Sequence, residues 1–201
     1  MRFQSNVAHH IYTTDAYVLD RTASGEADEF LTLFTRDLGL VRAAVRGVRL
    51  EKSKLRYALQ DLSESRVSLV RGKEVWRVTT AVFKDSFHTR YRNQKPVLAV
   101  VGNCAALLRR LVAGEEKNEK LFNAVCEAFD FLASREWGSE LALFEIMLVL
   151  KILHHLGYAS SNTTLTPLVA EPWSFATLEN LAPHRALAIR EINTSLRESQ
   201  L

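Results

Sequence analysis

Residues 35–59 read Thr35-Arg36-Asp37-Leu38-Gly39-Leu40-Val41-Arg42-Ala43-Ala44-Val45-Arg46-Gly47-Val48-Arg49-Leu50-Glu51-Lys52-Ser53-Lys54-Leu55-Arg56-Tyr57-Ala58-Leu59. Alternation through Val41, Ala43 and Val45 predicts a strand with one apolar face, leaving Arg42 and Arg46 together on the other. Seven cations (Arg36, Arg42, Arg46, Arg49, Lys52, Lys54, Arg56) meet only two acids here, Asp37 and Glu51. They belong to a folded sheet and not to a disordered basic tail. Like charge on a rigid surface is unfavourable unless solvent or a polyanion relieves it, and a nucleic-acid backbone is the commonest such polyanion. A strand face that is merely solvated is the other reading.

Outward from this stretch the texture stays β. Short apolar and β-branched runs predict strands over 11–20, 28–35, 40–47, 64–71 and 74–83, with Gly25, Gly39, Gly47 and Gly72 where the chain reverses. Five strands in this span suit a barrel of the OB type, with a linker around 53–61 between the third and fourth. Phe30, Phe34 and Phe83 are expected in its core. After Arg92 the period becomes helical. Pro96 stands near a helix start followed by Leu98, Val101, Ala105, Leu108 and Leu111; a second helix carries Leu121, Val125, Phe129 and Leu132. Ser139 is the expected N-cap of a third, which carries Leu141, Phe144, Leu148 and Ile152 and stops at Gly157. Residues 160–182 read as a connector, and Pro183 opens a last helix with Ala186, Ile189, Asn193 and Leu196 in register. The predicted class is α+β: an N-terminal five-stranded OB-fold β-barrel (1–92) followed by a C-terminal all-α helical domain (93–201).

The net charge of +3 hides an uneven distribution. Residues 1–92 hold 16 Lys/Arg and 11 Asp/Glu, a balance of +5; residues 93–201 hold 10 and 12, a balance of −2. Cys104 and Cys126 form no C-x-x-C pair and read as reduced core residues, which together with the absence of a signal-like apolar run after Met1 implies a cytoplasmic protein. No window approaches the roughly 18 uninterrupted apolar residues of a membrane span.

No catalytic constellation is legible. The phosphate-cradling G-x-x-x-x-G-K-[ST], the dinucleotide G-x-G-x-x-G, H-E-x-x-H and G-x-S-x-G are all absent. His9-His10 and His154-His155 are adjacent pairs that make poor chelators. Glu26, Asp28 and Glu29 read as an exposed turn before a Mg²⁺ site. The expectation is therefore no enzyme, no metal and no cofactor. Single-strand binders stack bases on exposed rings flanked by cations, which draws attention to Tyr57 beside Arg56 and Trp76 beside Arg77. In the third helix, Leu143, Ile146, Met147 and Leu150 widen the apolar stripe. Such a helix is either deeply buried or lines a groove for a partner's acidic, apolar C-terminal peptide, with Arg110 or Lys151 meeting its carboxylate.

Several runs together carry a family resemblance. Gly25-Glu26, Leu33-Phe34-Thr35-Arg36-Asp37-Leu38-Gly39-Leu40-Val41, Ala44-Val45-Arg46-Gly47-Val48-Arg49, Ser53-Lys54-Leu55 and Leu59-Gln60 resemble the N-terminal signature of the RecO recombination-mediator family. Phe144-Glu145, Leu156-Gly157-Tyr158 and the run from Ile192 to Leu201 echo its helical half. The resemblance implies a bacterial, nucleoid-associated protein without enzymatic turnover. It would bind single- and double-stranded DNA, anneal complementary strands, engage the C-terminal tail of single-strand-binding protein, and with RecR assist recombinase loading. Arg36, Arg46, Arg49, Lys52, Lys54 and Arg56 occupy the family's basic motif region and become the leading DNA contacts, with Arg42 beside them. Many members hold zinc through cysteine pairs after the Leu-Gly-Tyr element. Residues 159–173 contain no cysteine, so no structural zinc is expected. A protein-interaction adaptor, with DNA contact secondary, is the alternative.

Overall fold

Alternating burial builds the first half of the chain. β1 (Ile11–Ser24), β2 (Asp28–Thr35), β3 (Gly39–Val45), β4 (Ser63–Arg71) and β5 (Trp76–Ser86) close into a barrel in the order β1-β2-β3-β5-β4 in this computed structural model, which describes residues 10–158 and 163–199. His9, the run from Met1 to Asn6, the first part of the cysteine-free stretch and the last two residues of the C-terminal motif lie outside the described residues. With 14 residues, β1 is long enough to pair antiparallel with both β2 and β4, and an irregularity between Val18 and Asp20 turns it between the two. Closure comes from a short parallel contact of β3 with β5, through Ala43–Trp76 and Ala44–Arg77. Val41, Ala43 and Val45 point inward with Ala16, Val18, Leu31, Leu33, Val67 and Leu69, while Arg42 points out.

The aromatic rings are distributed differently from expectation. Leu31 and Leu33 take the interior positions of β2, so Phe30 is left half-buried on the outer face and belongs to neither apolar cluster. Phe34, also outward, is fully buried because the helices cover it there. Register shifts in the β4–β5 ladder carry Phe83 out of the barrel cluster to meet Tyr57 of α1 (Leu55–Ala58), with ring centroids 4.5 Å apart.

The helices follow: α2 (Phe87–Arg90), α3 (Lys95–Leu111), α4 (Glu119–Ala133), α5 (Leu141–His155), α6 (Leu165–Ala170), α7 (Phe175–Leu181), a 3-10 turn (Ala182–His184) and α8 (Arg185–Glu198). None among the described residues is long and apolar enough to cross a membrane. Pro96 lies in the first turn of α3, and Asn118 caps α4 by accepting the Leu121 N–H at 3.0 Å. Three expectations change. Glu140, not Ser139, occupies the capping position of α5. The connector folds into α6 and α7, the latter capped by Ser174. In α8 the buried positions are Ala188 and Ser195, two turns apart, whereas Ile189 is 39% exposed. Small side chains let α8 approach α5, and Ile189 lies one residue round the helix from them.

α5 is buried on nearly every side, so the apolar flank with two readings, deep burial or a peptide groove, faces the core along most of its length. Met147 is fully buried, Ile146 and Leu150 nearly so, and Leu143 half-buried; Arg110 remains exposed on α3. Lys151 is buried too. Its Nζ donates to the Val169 and Glu171 carbonyls at 2.6 and 2.7 Å and lies 5.3 Å from the Trp173 ring, anchoring the α6–α7 segment over α5.

Barrel and helices share one core. Phe34 meets Phe122 at 5.3 Å, Tyr17 meets Phe122 and Phe129 at 5.6 and 5.3 Å, and Phe87 meets Phe129 at 4.6 Å. The Tyr17 hydroxyl donates to Cys126 Sγ at 3.3 Å, and burial pushes its pKa far above the ordinary phenol value. The 112–118 loop clamps the seam from outside. Leu40 N–H donates to the Gly114 carbonyl at 3.0 Å, and Lys117 reaches Asp37, whose other oxygen accepts from Thr14 Oγ1 at 2.8 Å. Gly39, at φ +69°, leaves no room for a side chain because the Glu116 backbone presses against it.

Three variants test these contacts. Gly39→Ala is expected to destabilise by about 2–3 kcal/mol, through its left-handed backbone and the collision with Glu116. Gly25→Ala, at φ +70° in open space, is expected to cost only about 1 kcal/mol; calorimetric unfolding separates the two. Lys151→Met strips a donor from two carbonyls and is expected to cost about 1–3 kcal/mol. Burial lowers the Lys151 pKa from 10.5, so the native state holds this proton less tightly than the unfolded chain. The Lys151 contribution should therefore grow as pH rises through the folded pKa toward 10.5. Urea unfolding across alkaline pH should show that rise in the parent protein and its loss in Lys151→Met.

Candidate nucleic-acid interface

The basic stretch is held rigidly. After β3 the chain turns at Gly47, whose φ of +63° is of the kind glycine adopts without strain. Its N–H donates to Asp28 Oδ1 at 2.8 Å, the Arg49 N–H to the Ala27 carbonyl at 3.0 Å, and the Arg49 guanidinium to the Gly25 carbonyl at 3.1 Å. Val48 is fully buried in the barrel cluster between Arg46 and Arg49. The β3–α1 segment is thus fastened to the β1–β2 turn, and its charged side chains face solvent. Arg42, Arg46, Arg49, Lys52, Lys54 and Arg56 are all exposed, and none of them joins an ion pair among the described residues. Six exposed cations against the single acid Glu51 on a fixed surface make an attractive field for a polyanion.

Arg36 stands apart from this group. Its guanidinium lies 3.9 Å from Asp15 and 5.3 Å from the Phe122 ring, at the seam between barrel and helices. Asp15 also takes Lys84, which Glu64 holds as well, both at 3.0 Å. Arg42 instead lays its guanidinium 4.4 Å from the Phe30 ring, out on the barrel wall. Tyr57 is 57% exposed and keeps a free aspect beside Arg56.

Trp76 does not present a stacking face. It is 5% exposed, with its ring directed into the barrel, the Arg71 guanidinium 5.0 Å from it on one side and the Tyr12 edge 5.3 Å away. Arg71 in turn pairs with Glu115 and holds that carboxyl below the usual carboxylate range. The parallel β3–β5 contact sets this orientation. It places Trp76 beside inward Ala43 and Arg77 beside outward Ala44.

In the acidic cluster Glu26 is exposed, while Asp28 and Glu29 serve the scaffold. Glu29 is buried and accepts from Arg21 Nε and Nη2 at 2.9 and 2.7 Å, and Asp28 holds the Gly47 amide. No group of three or more His, Cys, Asp or Glu could hold a metal ion among the described residues. A cavity of about 320 Å³ lies beside Arg56, lined also by Arg21, Gln60, Asp61 and His88. Burial pushes the Asp61 carboxyl up and Arg21 opposes it, so the cavity is mixed in charge. Sequence reading missed the outward Phe30. The signal was present, since Leu31 and Leu33 alternate with it on β2.

The family model described as "Recombination protein O N terminal" matches residues 9–87, spanning the barrel, and "Recombination protein O C terminal" matches 96–162. "DNA repair protein RecO" of Dehalococcoides mccartyi (strain CBDB1) is 33% identical over 144 residues, 70% of this chain and 55% of that protein. The protein of the same name from Pelotomaculum thermopropionicum is 30% identical over 148 residues, 74% of this chain and 56% of its own. That of Heliobacterium modesticaldum is 42% identical over a shorter stretch of 77 residues, 38% of this chain and 28% of its own. The chain spans slightly more than half the length of the first two.

Proposed function

The chain belongs to the RecO family, and from that premise we propose that it serves DNA repair and recombination by binding DNA on the β3–α1 cations and bringing complementary strands together. The observation that carries this reading is the set of exposed, unpaired charges Arg42, Arg46, Arg49, Lys52, Lys54 and Arg56 on a turn that the barrel holds still. Each phosphate that meets one of them releases condensed counterions, which drives association. Phosphates of two strands sharing one cationic surface repel each other less. Their bases then meet and pair, with no bond made or broken by the protein and no cofactor required.

In this role the partners are single- and double-stranded DNA, the C-terminal tail of single-strand-binding protein, and RecR, with recombinase loading on coated strands as the outcome. The family's role as a recombination mediator supports the partners, and the charge pattern supports the DNA. Tyr57, exposed at the end of the basic segment, is available to flank a bound strand.

Salt dependence gives the direct test. Neutralising about four or five phosphates predicts a log K against log salt slope of about −3 on a single strand. Reversing Arg46, Arg49 and Lys54 to Glu should flatten that slope by about 2 and slow annealing of complementary oligonucleotides, both bare and coated with single-strand-binding protein. Stability should fall by no more than about 1.5 kcal/mol, the cost of the Arg49–Gly25 hydrogen bond, since none of these side chains lies in the core. Affinity that ignores salt, or that survives the triple reversal, overturns this assignment.

A further inference from the structure

Phe30 is an outward aromatic side chain that neither apolar cluster uses. Its neighbours across the sheet are set by register. Phe30 faces Ala44 on β3, and Ala44 faces Arg77 on β5, so the three stand side by side on the outer face, about 4.8 Å apart from strand to strand. Ala44 is the smallest of them and adds little bulk between ring and guanidinium. Arg42, two residues before Ala44 on the same side of β3, covers the Phe30 ring at 4.4 Å. Arg42 and Arg77 are exposed and join no ion pair among the described residues. A phenyl ring under one such cation, with a second two strands away, offers a π face beside positive charge.

We propose that the row Phe30, Ala44 and Arg77, edged by Arg42, seats unpaired bases, so that this barrel wall takes single-stranded nucleic acid by ring stacking as well as by charge. The inference rests on the DNA-binding reading above and deepens it. A base arriving beside Ala44 stacks on Phe30, and the Arg42 guanidinium moves from the ring to a neighbouring phosphate, exchanging one π contact for a charged one. A duplex keeps its bases paired and stacked, so it reaches the same wall through phosphates alone. The row therefore confers a preference for single strands that the β3–α1 cations by themselves do not supply.

The test compares three labelled probes of equal length by fluorescence anisotropy at fixed salt: oligodeoxythymidylate, an abasic single strand, and a duplex. Phe30→Ala should weaken thymidylate binding about tenfold, to the level of the abasic strand, and leave abasic and duplex affinities within about twofold. Phe30→Tyr should restore the thymidylate affinity, and the salt slope should stay the same in all variants. Thymidylate affinity that Phe30→Ala leaves intact, or an equal loss on all three probes, overturns the stacking seat. If the unaltered protein binds none of the probes, the DNA-binding reading fails with it. Steep salt dependence on every probe without any effect of Phe30→Ala sinks the stacking seat alone. Photocrosslinking of a 5-iododeoxyuridine strand to the unaltered protein makes the same decision without a variant. A crosslink at Phe30 supports the row, and crosslinks confined to Tyr57 and residues 46–56 overturn it.

Discussion

Tyr17 and Phe34 on the barrel and Phe87 at the start of α2 pack against Phe122 and Phe129 of α4, and every other feature depends on that aromatic contact. The barrel alone buries a modest cluster built around Leu31, Leu33, Val67 and Leu69. The helices alone would leave α4 with two phenyl rings facing water. Joined, they bury one large cluster that runs from β1 to α8. The motif Thr35 to Leu40 makes the join possible: Gly39 lets the 112–118 loop come close, Asp37 binds Lys117, and Arg36 lies against Phe122. A run that looks like part of a basic binding motif is here largely a hinge between layers, fixed shut.

Rigidity also determines how the surface charge behaves. A flexible basic tail loses conformational entropy whenever it grips a polymer, whereas the β3–α1 turn has already lost it in folding. Val48 inside the barrel, and three hydrogen bonds to residues 25–28, hold Arg46 and Arg49 in place before any partner arrives. Two acidic residues nearby have been drawn into scaffold duties. Asp28 serves an amide and Glu29 serves Arg21, so they do not compete for the outward cations.

Much of this was legible in the residues themselves. Val41, Ala43 and Val45 fall on the inner face as period-two alternation requires, and Val101, Ala105, Leu108 and Leu111 are buried as a 3.6 period requires. Local pattern failed where a second layer decided. Phe34 and Phe30 are two sites of the same parity on β2, yet only Phe34 is covered by α4. Trp76 turned inward because a two-pair parallel contact, invisible to local alternation, sets the phase of β5. Lys151 looked like a groove-side charge, because sequence does not show that α6 and α7 fold back over α5 and offer it two carbonyls. Arg36 is charged like its neighbours downstream, and only tertiary packing separates it from them.

The closure of the barrel has a dynamic consequence. β1 with β2 and β4 with β5 are joined along long ladders, but β3 and β5 share only the pairs Ala43–Trp76 and Ala44–Arg77. So short a ladder has the least cooperativity of the ring, and local opening begins where the fewest bonds must break together. Amide hydrogens on the facing edges of β3 and β5 should exchange with solvent earliest among the strands. The cylinder is a gapped cuff rather than a seamless tube, and its weakest seam is the one between Ala44 and Arg77.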